Sequence, residues 1–301
     1  MSSLLTGEFL GLSKYSYKTF SKKPGADEIH ERVSCPICHR SEVDPHWDCG
    51  DFAFSRCVGC GHVYQNPRPV GDDLIERYDE EYRDYEVENS QNFFTLMRYG
   101  LRDAGVFSIT NHLLTRRESK PRALDVGCAT GVLVRYLNDL GWDAEGLEVC
   151  APAARFGMDR RNVLIHINTL EGAGLSDGHY DLVHFSHVIE HLPDVNAFLA
   201  EVRRICRPGG HVVITTPNRK SFQAAIMGAK WRSAIADHTH LFSTDELLQL
   251  LKRHGFEPVK QKTWGGIPVG MAPGPLKRIV DRIARILGYG DVVMVMGRRI
   301  S

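Results

Sequence analysis

The chain has 301 residues, with 37 Lys plus Arg against 37 Asp plus Glu, so its formal net charge is zero. That balance argues against a nucleic-acid binder working through a strongly basic surface. A composition of 43 % hydrophobic and 25 % charged residues is that of an ordinary globular protein, long enough for one large domain or a medium one with an appendage.

No apolar run approaches the roughly 18 residues of a spanning helix. The opening MSSLLTGEFLGLSKYSYK lacks the basic start and apolar core of a signal peptide, so a cytoplasmic address is expected. The eight cysteines are then not expected to pair as disulfides. Residues 1–33 carry no strong period and receive no function. Within 34–64, Cys35, Cys38, Cys57 and Cys60 read C-P-I-C, 18 residues, C-V-G-C. Two knuckles at this separation fit a closed, structural four-thiolate zinc site. Few large aliphatics lie between them, as expected when metal ligation stands in for a core. Cys49 has no partner at ligand spacing. Cys128, Cys150 and Cys206 sit in apolar stretches, where cysteine is usually a small buried hydrophobe.

Residues 65–90 read as an extended N-P-R-P linker followed by helix in the acidic, tyrosine-rich DDLIERYDEEYRDYE. From about 91 to 301 strands and helices alternate. RALDV (122–126), DAEGLEV (143–149), VLIHI (163–167), YDLVHFS (180–186), HVVITTP (211–217) and DVVMVMGRR (291–299) are strand candidates. VLVRYLNDLG, APAARFGMDR and VNAFLAEVRRIC are helical, with a turn at RPGG after the last of them. STDELLQLLKRHGF opens with Ser243 and carries Glu246 three positions later, a capping-box start. Strand, crossover, strand at this repeat predicts an α/β fold with a doubly wound, mainly parallel sheet.

LDVGCATG (124–131) is a glycine-containing strand-to-helix turn, but its G-x-x-x-G spacing and lack of Lys-Ser/Thr set it apart from nucleotide phosphate loops. Asp125 would repel a pyrophosphate and favour a cationic ligand. Glu148 ends the next strand 23 residues on, where a carboxylate can take both hydroxyls of a ribose. Ribose hydroxyls, a cationic amino-acid tail and no phosphate together describe S-adenosylmethionine.

LDVGCATG, the end of GLEV, YDLVHFSHVIEHLPD and RRICRPGGHVVITTPN resemble the consecutive motifs of class I S-adenosylmethionine-dependent methyltransferases. The cysteine module followed by N-P-R-P resembles the N-terminal zinc ribbon of a subgroup modifying sugars, surface glycans and secondary metabolites. The resemblance covers roughly residues 34–301 and implies a seven-stranded Rossmann-like sheet. The main departure is Ala129, where the family usually has glycine. The resemblance implies Asp125 near the cofactor's amino group, Gly127, Cys128, Ala129 and Gly131 around its methionine moiety, and Glu148 on the ribose. It puts Asn168, Thr169 and Leu170 by the adenine, and Ser186 on the methyl-bearing side.

Methyl transfer from a sulfonium is an in-line displacement, so the protein contributes alignment, dryness and, for a hydroxyl acceptor, a base. Histidine is the first candidate. His191 and His240 lead, followed by His187 and His238, with Glu190 beside them. Glu190, His191, Asp237 and His238 could instead hold a divalent metal that polarises the hydroxyl. The H-x-x-E-H letters match a zinc-protease pattern, but Leu-Pro follows at once and leaves no helix to carry it. His166, His179 and His184 are expected to be packing or surface residues. Trp231, Trp264 and Phe242 are either an apolar wall for a ring or core.

TWGGIPVGMAPGP (263–275) suggests a loop, and 263–290 as a whole lid or substrate-choosing elements. In 275–288 the apolar residues 276, 279, 280, 283 and 287 form one helical stripe, opposite Lys277, Arg278, Arg282 and Arg285. The stripe is expected to pack on the sheet. The alternative is a docking helix making peripheral contact with a membrane or a lipid-linked acceptor. From Leu241 onward ten Lys/Arg stand against five Asp/Glu, so the neutral total is an average. The function expected is methyl transfer to a small molecule or glycan precursor, most readily at a hydroxyl oxygen. Sugar carbon methylation and a non-catalytic zinc-ribbon binding protein on a methyltransferase scaffold are the alternatives. Nucleic acid is disfavoured as acceptor, there being no N-P-P-Y or D-P-P-Y after the fourth strand.

Overall fold

A computed structural model describes residues 29–70, 78–116, 119–268, 270–271 and 273–300. The assignments made for the N-terminal segment up to residue 28 and for the first part of the acidic stretch, 71–77, fall outside them.

Seven strands form the main sheet: β6 (Arg122–Val126), β7 (Asp143–Glu148), β8 (Ile165–Ile167), β9 (Tyr180–Ser186), β10 (Cys206–Pro217), β12 (Phe256–Trp264) and β13 (Val292–Arg299). Their order is β12-β13-β10-β9-β6-β7-β8. The pairs of β6 with β7 and β9, of β7 with β8, and of β9 with β10 are parallel, whereas β13 runs antiparallel to β10 and β12. The near-continuous apolar runs of β6, β9 and β10 follow from burial on both faces. On one face α5 (Val195–Ile205) and α7 (Thr244–Arg253) pack Phe198, Leu199, Val202, Leu247 and Leu251 against Val183, Phe185 and Val212. On the other, α1 (Glu80–Ala104), α2 (Val106–Arg116), α3 (Val132–Asp139) and α4 (Ala151–Arg161) bury Leu101, Leu113, Leu133, Leu137 and Ala154 around Trp142. Each fully buried aliphatic or aromatic side chain here contributes about 1.5–3 kcal/mol.

Local signals set the helix ends. Asp79 caps α1 through its bonds from the Glu81 and Tyr82 N–H groups, and Gly105 ends it in the left-handed region. Asp194 caps α5, and the Ser243–Glu246 capping box expected for α7 is present. The turn expected at RPGG is instead a bulge inside β10, whose register on β9 shifts between Cys206 and His211. Strand β12 has no counterpart among the expected strands. It is an edge strand with exposed Lys260 and Lys262, and its alternation is faint because four successive residues, 259–262, are exposed.

The cysteine module forms its own sheet from β2 (Val43–Asp48), β3 (Ala53–Cys57) and β4 (Val63–Gln65). A short strand, β1 (His30–Glu31), pairs with β5 (Arg68–Pro69) in the N-P-R-P segment. The fourth strand of the module's sheet comes from far along the chain: β11 (His240–Leu241) pairs antiparallel with Tyr64 and Val63 of β4. Phe54, Val63 and Leu241 pack with Trp231 and with Ala224 of α6 (Phe222–Met227). Trp231, Phe242 and Trp264 are therefore core residues.

A buried hydrogen-bond chain crosses this junction. His240 Nε2–H donates to the Leu192 carbonyl (2.9 Å), so His240 Nδ1 accepts from His62 Nε2 (2.9 Å), and His62 Nδ1 faces Glu246 Oε1 (3.3 Å). Burial alone would raise the Glu246 carboxyl, but the bonds from His62 and Arg219 hold it at about 2. His240 itself is pushed well below the usual histidine range, by burial first and then by His62.

The final helix, α8 (Gly274–Leu287), corrects an expectation. Its packed face consists of Lys277, Ala284 and the half-buried Val280, while Leu276, Ile279, Ile283 and Leu287 point outward. Asp281 anchors the helix by accepting from Gly266 N and pairing with Lys277, and Arg285 pairs with Asp103.

The junction chain yields a stability prediction. His240→Ala removes a buried ring and strands the His62 nitrogen, which should cost about 2–4 kcal/mol in urea unfolding. A variant as stable as wild type would contradict the role of this chain.

Candidate active site

The carboxyl ends of β6, β7 and β9 open on a cavity of about 540 Å³, at the point where the strand order reverses. The turn after β6 builds its floor. Gly127 has φ +68° and Gly131 φ +69°; a side chain on Gly127 would also lie 2.4 Å from Val188 Cγ2. Ala129 takes φ +46° too, a strain of about 1–2 kcal/mol for a residue with a Cβ. Its N–H donates to Glu148 Oε2 (2.8 Å), and Cys150 N–H donates to Glu148 Oε1 (2.8 Å). Glu148 is thus fixed at the cavity wall, and burial raises its carboxyl despite these bonds.

Gly127, Cys128, Ala129, Glu148, Asn168, Thr169, Leu170 and Ser186 all line the cavity, as the motifs implied. Two residues are placed otherwise. Asp125 lies beneath the turn, not on the wall, with Oδ1 on His184 Nδ1 (2.7 Å) and Oδ2 buried without a hydrogen-bond partner. Gly131 opens α3 behind the turn, where a Cβ would meet Val163 and Ile165 at about 3 Å.

The opposite wall comes from α1, to which no function was given. Tyr82, Tyr85, Glu86 and Phe93 of α1 line the cavity, with Tyr78 just ahead of its Asp79 cap. The aromatic spacing 82, 85, 93 was the available signal, since it marks one face of a helix. Burial, and then the Glu148 charge, raise the Glu86 carboxyl to about 8. Three carboxyl groups, Glu86, Glu148 and the buried Asp125, thus surround this end. Such a site fits a cationic cofactor bearing ribose hydroxyls and disfavours a phosphate.

The other end carries the histidines. The segment after β9 is a 3-10 turn, Ile189–His191, as the following Leu-Pro requires. His191 Nδ1 donates to the Asp237 carbonyl (2.9 Å) and His238 Nδ1 to the Ser233 carbonyl (2.8 Å), which leaves both Nε2 atoms as acceptors. The two rings meet edge to face at 4.7 Å. Glu190 lies behind them, accepting from His187 Nδ1 (3.0 Å) and Thr216 Oγ1 (2.9 Å). Burial would raise its carboxyl, yet the His187 bond and the neighbouring histidines hold it at about 2. Burial drives His238 down to about 3, so it stays neutral and is a poor proton acceptor. One carboxylate oxygen of Glu190 and one nitrogen each of His191 and His238 lie within 4.8 Å of one another.

His187 lines the cavity, but its Nε2 is covered by protein. His240 is not brought to the cavity: both its nitrogens are spent in the junction chain, two residues beyond His238. Arg232 and Ser233, absent from the expected site set, line this end, with Arg232 held by Asp291 (2.6 Å); Asp237, considered as a metal ligand, lines the cavity but is not among the converging donors.

The four knuckle cysteines converge apart from the cavity. Cys35 and Cys60 sulfurs are 3.6 Å apart, Cys38 and Cys57 sulfurs 3.5 Å, and all four lie within 4.8 Å. These separations are far longer than a disulfide and close to the roughly 3.8 Å edge of a zinc–thiolate tetrahedron with 2.3 Å bonds. Burial raises the Cys35 and Cys60 thiols, while hydrogen bonds outweigh burial at Cys57 and lower it to about 7. The donor set fits a zinc ion.

A doubly wound sheet of this order, with a glycine turn after its first strand and an acid at the end of the second, is the fold of the class I methyltransferases. The chain belongs to the methyltransferase domain family, whose model matches residues 98–261, more than half of its length. It is 33 % identical over 153 residues to a ubiquinone biosynthesis O-methyltransferase of Cereibacter sphaeroides, covering 47 % of this chain and 62 % of the relative. It is 32 % identical over 169 residues to the protein of that name from Dinoroseobacter shibae, covering 52 % and 65 %. The chain thus spans less than two thirds of these relatives. The crystal structure of the Burkholderia thailandensis 1,6-didemethyltoxoflavin-N1-methyltransferase superposes with a TM-score of 0.48 at 15 % identity, covering 86 % of this chain and all of that one.

The carboxyl-rich end sets a pH dependence. Glu86, at about 8 in the free protein, is mostly protonated at neutral pH, and a bound cation favours its ionised form. Cofactor binding should therefore release a proton, and affinity should rise with pH up to about 8, by at most roughly tenfold per unit. Calorimetry in buffers of different ionisation enthalpy measures the release. Glu86→Gln should abolish it, and an unchanged proton release in that variant would exclude Glu86 as the source.

Proposed function

We propose that this protein transfers the methyl group of S-adenosylmethionine to a hydroxyl oxygen of a small-molecule acceptor, a glycan precursor among the candidates. The observation that carries the reading is the polarity of the cavity at the strand ends. Carboxyl groups at one end suit the cationic cofactor, and His191, its ring oriented by the Asp237 carbonyl, suits an acceptor proton at the other. The similarity to ubiquinone biosynthesis O-methyltransferases supports the choice of atom.

Glu148 would bind the ribose hydroxyls, and the Gly127–Ala129 turn would carry the amino-acid tail. When bound, S-adenosylmethionine supplies an already electrophilic methyl group, so the remaining tasks belong to the chain. Tyr82, Tyr85 and Phe93 of α1 exclude water. His191 accepts the hydroxyl proton at Nε2, its ring fixed by the Asp237 carbonyl, and ionised Glu190 stabilises the resulting imidazolium. His191→Ala should lower kcat by about 10²–10⁴ while cofactor affinity changes less than about twofold. Retained turnover would remove His191 as the base. Wild-type protein that binds no cofactor would favour the non-catalytic scaffold.

A second reading uses the same atoms. The convergence of Glu190, His191 and His238 within 4.8 Å suits a divalent cation that polarises the hydroxyl. Activity that survives exhaustive chelation supports the base. Activity lost on chelation and restored by a divalent cation supports the metal.

We also propose that Cys35, Cys38, Cys57 and Cys60 hold a structural zinc. Metal analysis of the full chain should find about one zinc, lost in Cys57→Ser. A folded, metal-free wild-type protein would overturn this.

A further inference from the structure

We infer that α8 docks the protein on an anionic lipid bilayer surface. Among the described residues, Leu276, Ile279, Ile283, Ile286 and Leu287 are 44–74 % exposed. At 100° per residue these five fall on one arc of about 100°. The arc does not face the sheet, because Lys277, Val280 and Ala284 supply the packed face and Asp281 and Arg285 pin the helix there. The apolar surface continues past the helix end: Tyr289 packs on Phe222 at 5.2 Å, and Ile226, one turn further along α6, is exposed.

Charge selects the occupant. The exposed guanidinium groups of Arg278 and Arg282 border the apolar arc. The helix has one acid, Asp281, and it is already paired with Lys277. Apposing two copies of this face would bring arginines together without a counter-charge. Anionic headgroups supply that charge while the acyl boundary takes the aliphatic side chains. No helix among the described residues is long and apolar enough to cross a membrane, so the contact is with the surface. The docked face also adjoins the acceptor end of the cavity, because Asp291, just beyond Tyr289, holds the cavity residue Arg232.

The docking claim does not rest on the methyl acceptor, since its test reads binding alone. The full chain is mixed with vesicles of phosphatidylcholine, with or without 30 mol % phosphatidylglycerol (about a third anionic, as for an acidic leaflet), and floated on a density gradient. Binding should occur to the anionic vesicles, fall at least tenfold at high salt, and fall at least tenfold in Arg278→Glu/Arg282→Glu and in Ile279→Ser/Ile283→Ser. The variants should keep the wild-type thermal midpoint and cofactor affinity, since the changed side chains are exposed. Absence of wild-type flotation, equal flotation of folded variants, or a wild-type dimer that the Ile279→Ser/Ile283→Ser variant dissociates would each overturn the proposal.

Discussion

The carboxylate of Glu148 ties together three segments that sequence alone leaves apart. It closes β7, receives the Ala129 N–H from the turn after β6, and receives the Cys150 N–H at the start of α4. Gly127 and Cys128 N–H groups add bonds to the Leu147 carbonyl beside it. An unusual backbone angle at Ala129 is tolerable because these bonds over-determine the turn. The cavity floor and the first turn of α4 both depend on one buried acid, whose desolvation two donors offset only in part.

From that floor the cavity grades from acid to base. Glu86 on α1 faces the same space as Glu148, so a helix outside the glycine-turn and strand-end motifs shares in setting the charge of this end. At the far end Glu190 plays a different part: it is ionised but withdrawn, and its negative charge acts through the rings in front of it. Two carboxylates of similar burial differ because one meets another acid and the other meets histidines.

Much of this was legible in the sequence. The central strands declared themselves as short apolar runs, and helix caps such as Ser243–Glu246 marked boundaries within a residue or two. The glycine turn and Glu148 carried the cofactor reading. Other features are set by three-dimensional neighbours. His238 and His240 sit two positions apart in DHTHLF, but only His240 belongs to β11; His238 lies in the loop before it and faces the cavity, while His240 enters the junction with the cysteine module. Asp125 has the right type and position but is turned under the loop toward His184. In α8 the apolar period was plain, but a period gives the width of a stripe and not the direction it faces. That direction depends on where Gly266 and Asp103 offer anchors.

The two-residue strand β11 has a consequence for how this protein can vary. The family match begins at residue 98 and so leaves out the cysteine module, yet that module's sheet is completed by His240 and Leu241 from within the matched span. The module is not an independent cassette. A lineage that exchanged it would also have to recast the loop that presents His238 to the cavity. Positions 62, 240 and 246, far apart in the gene, form one unit of inheritance: a change at any one alters which residues the other two can accept.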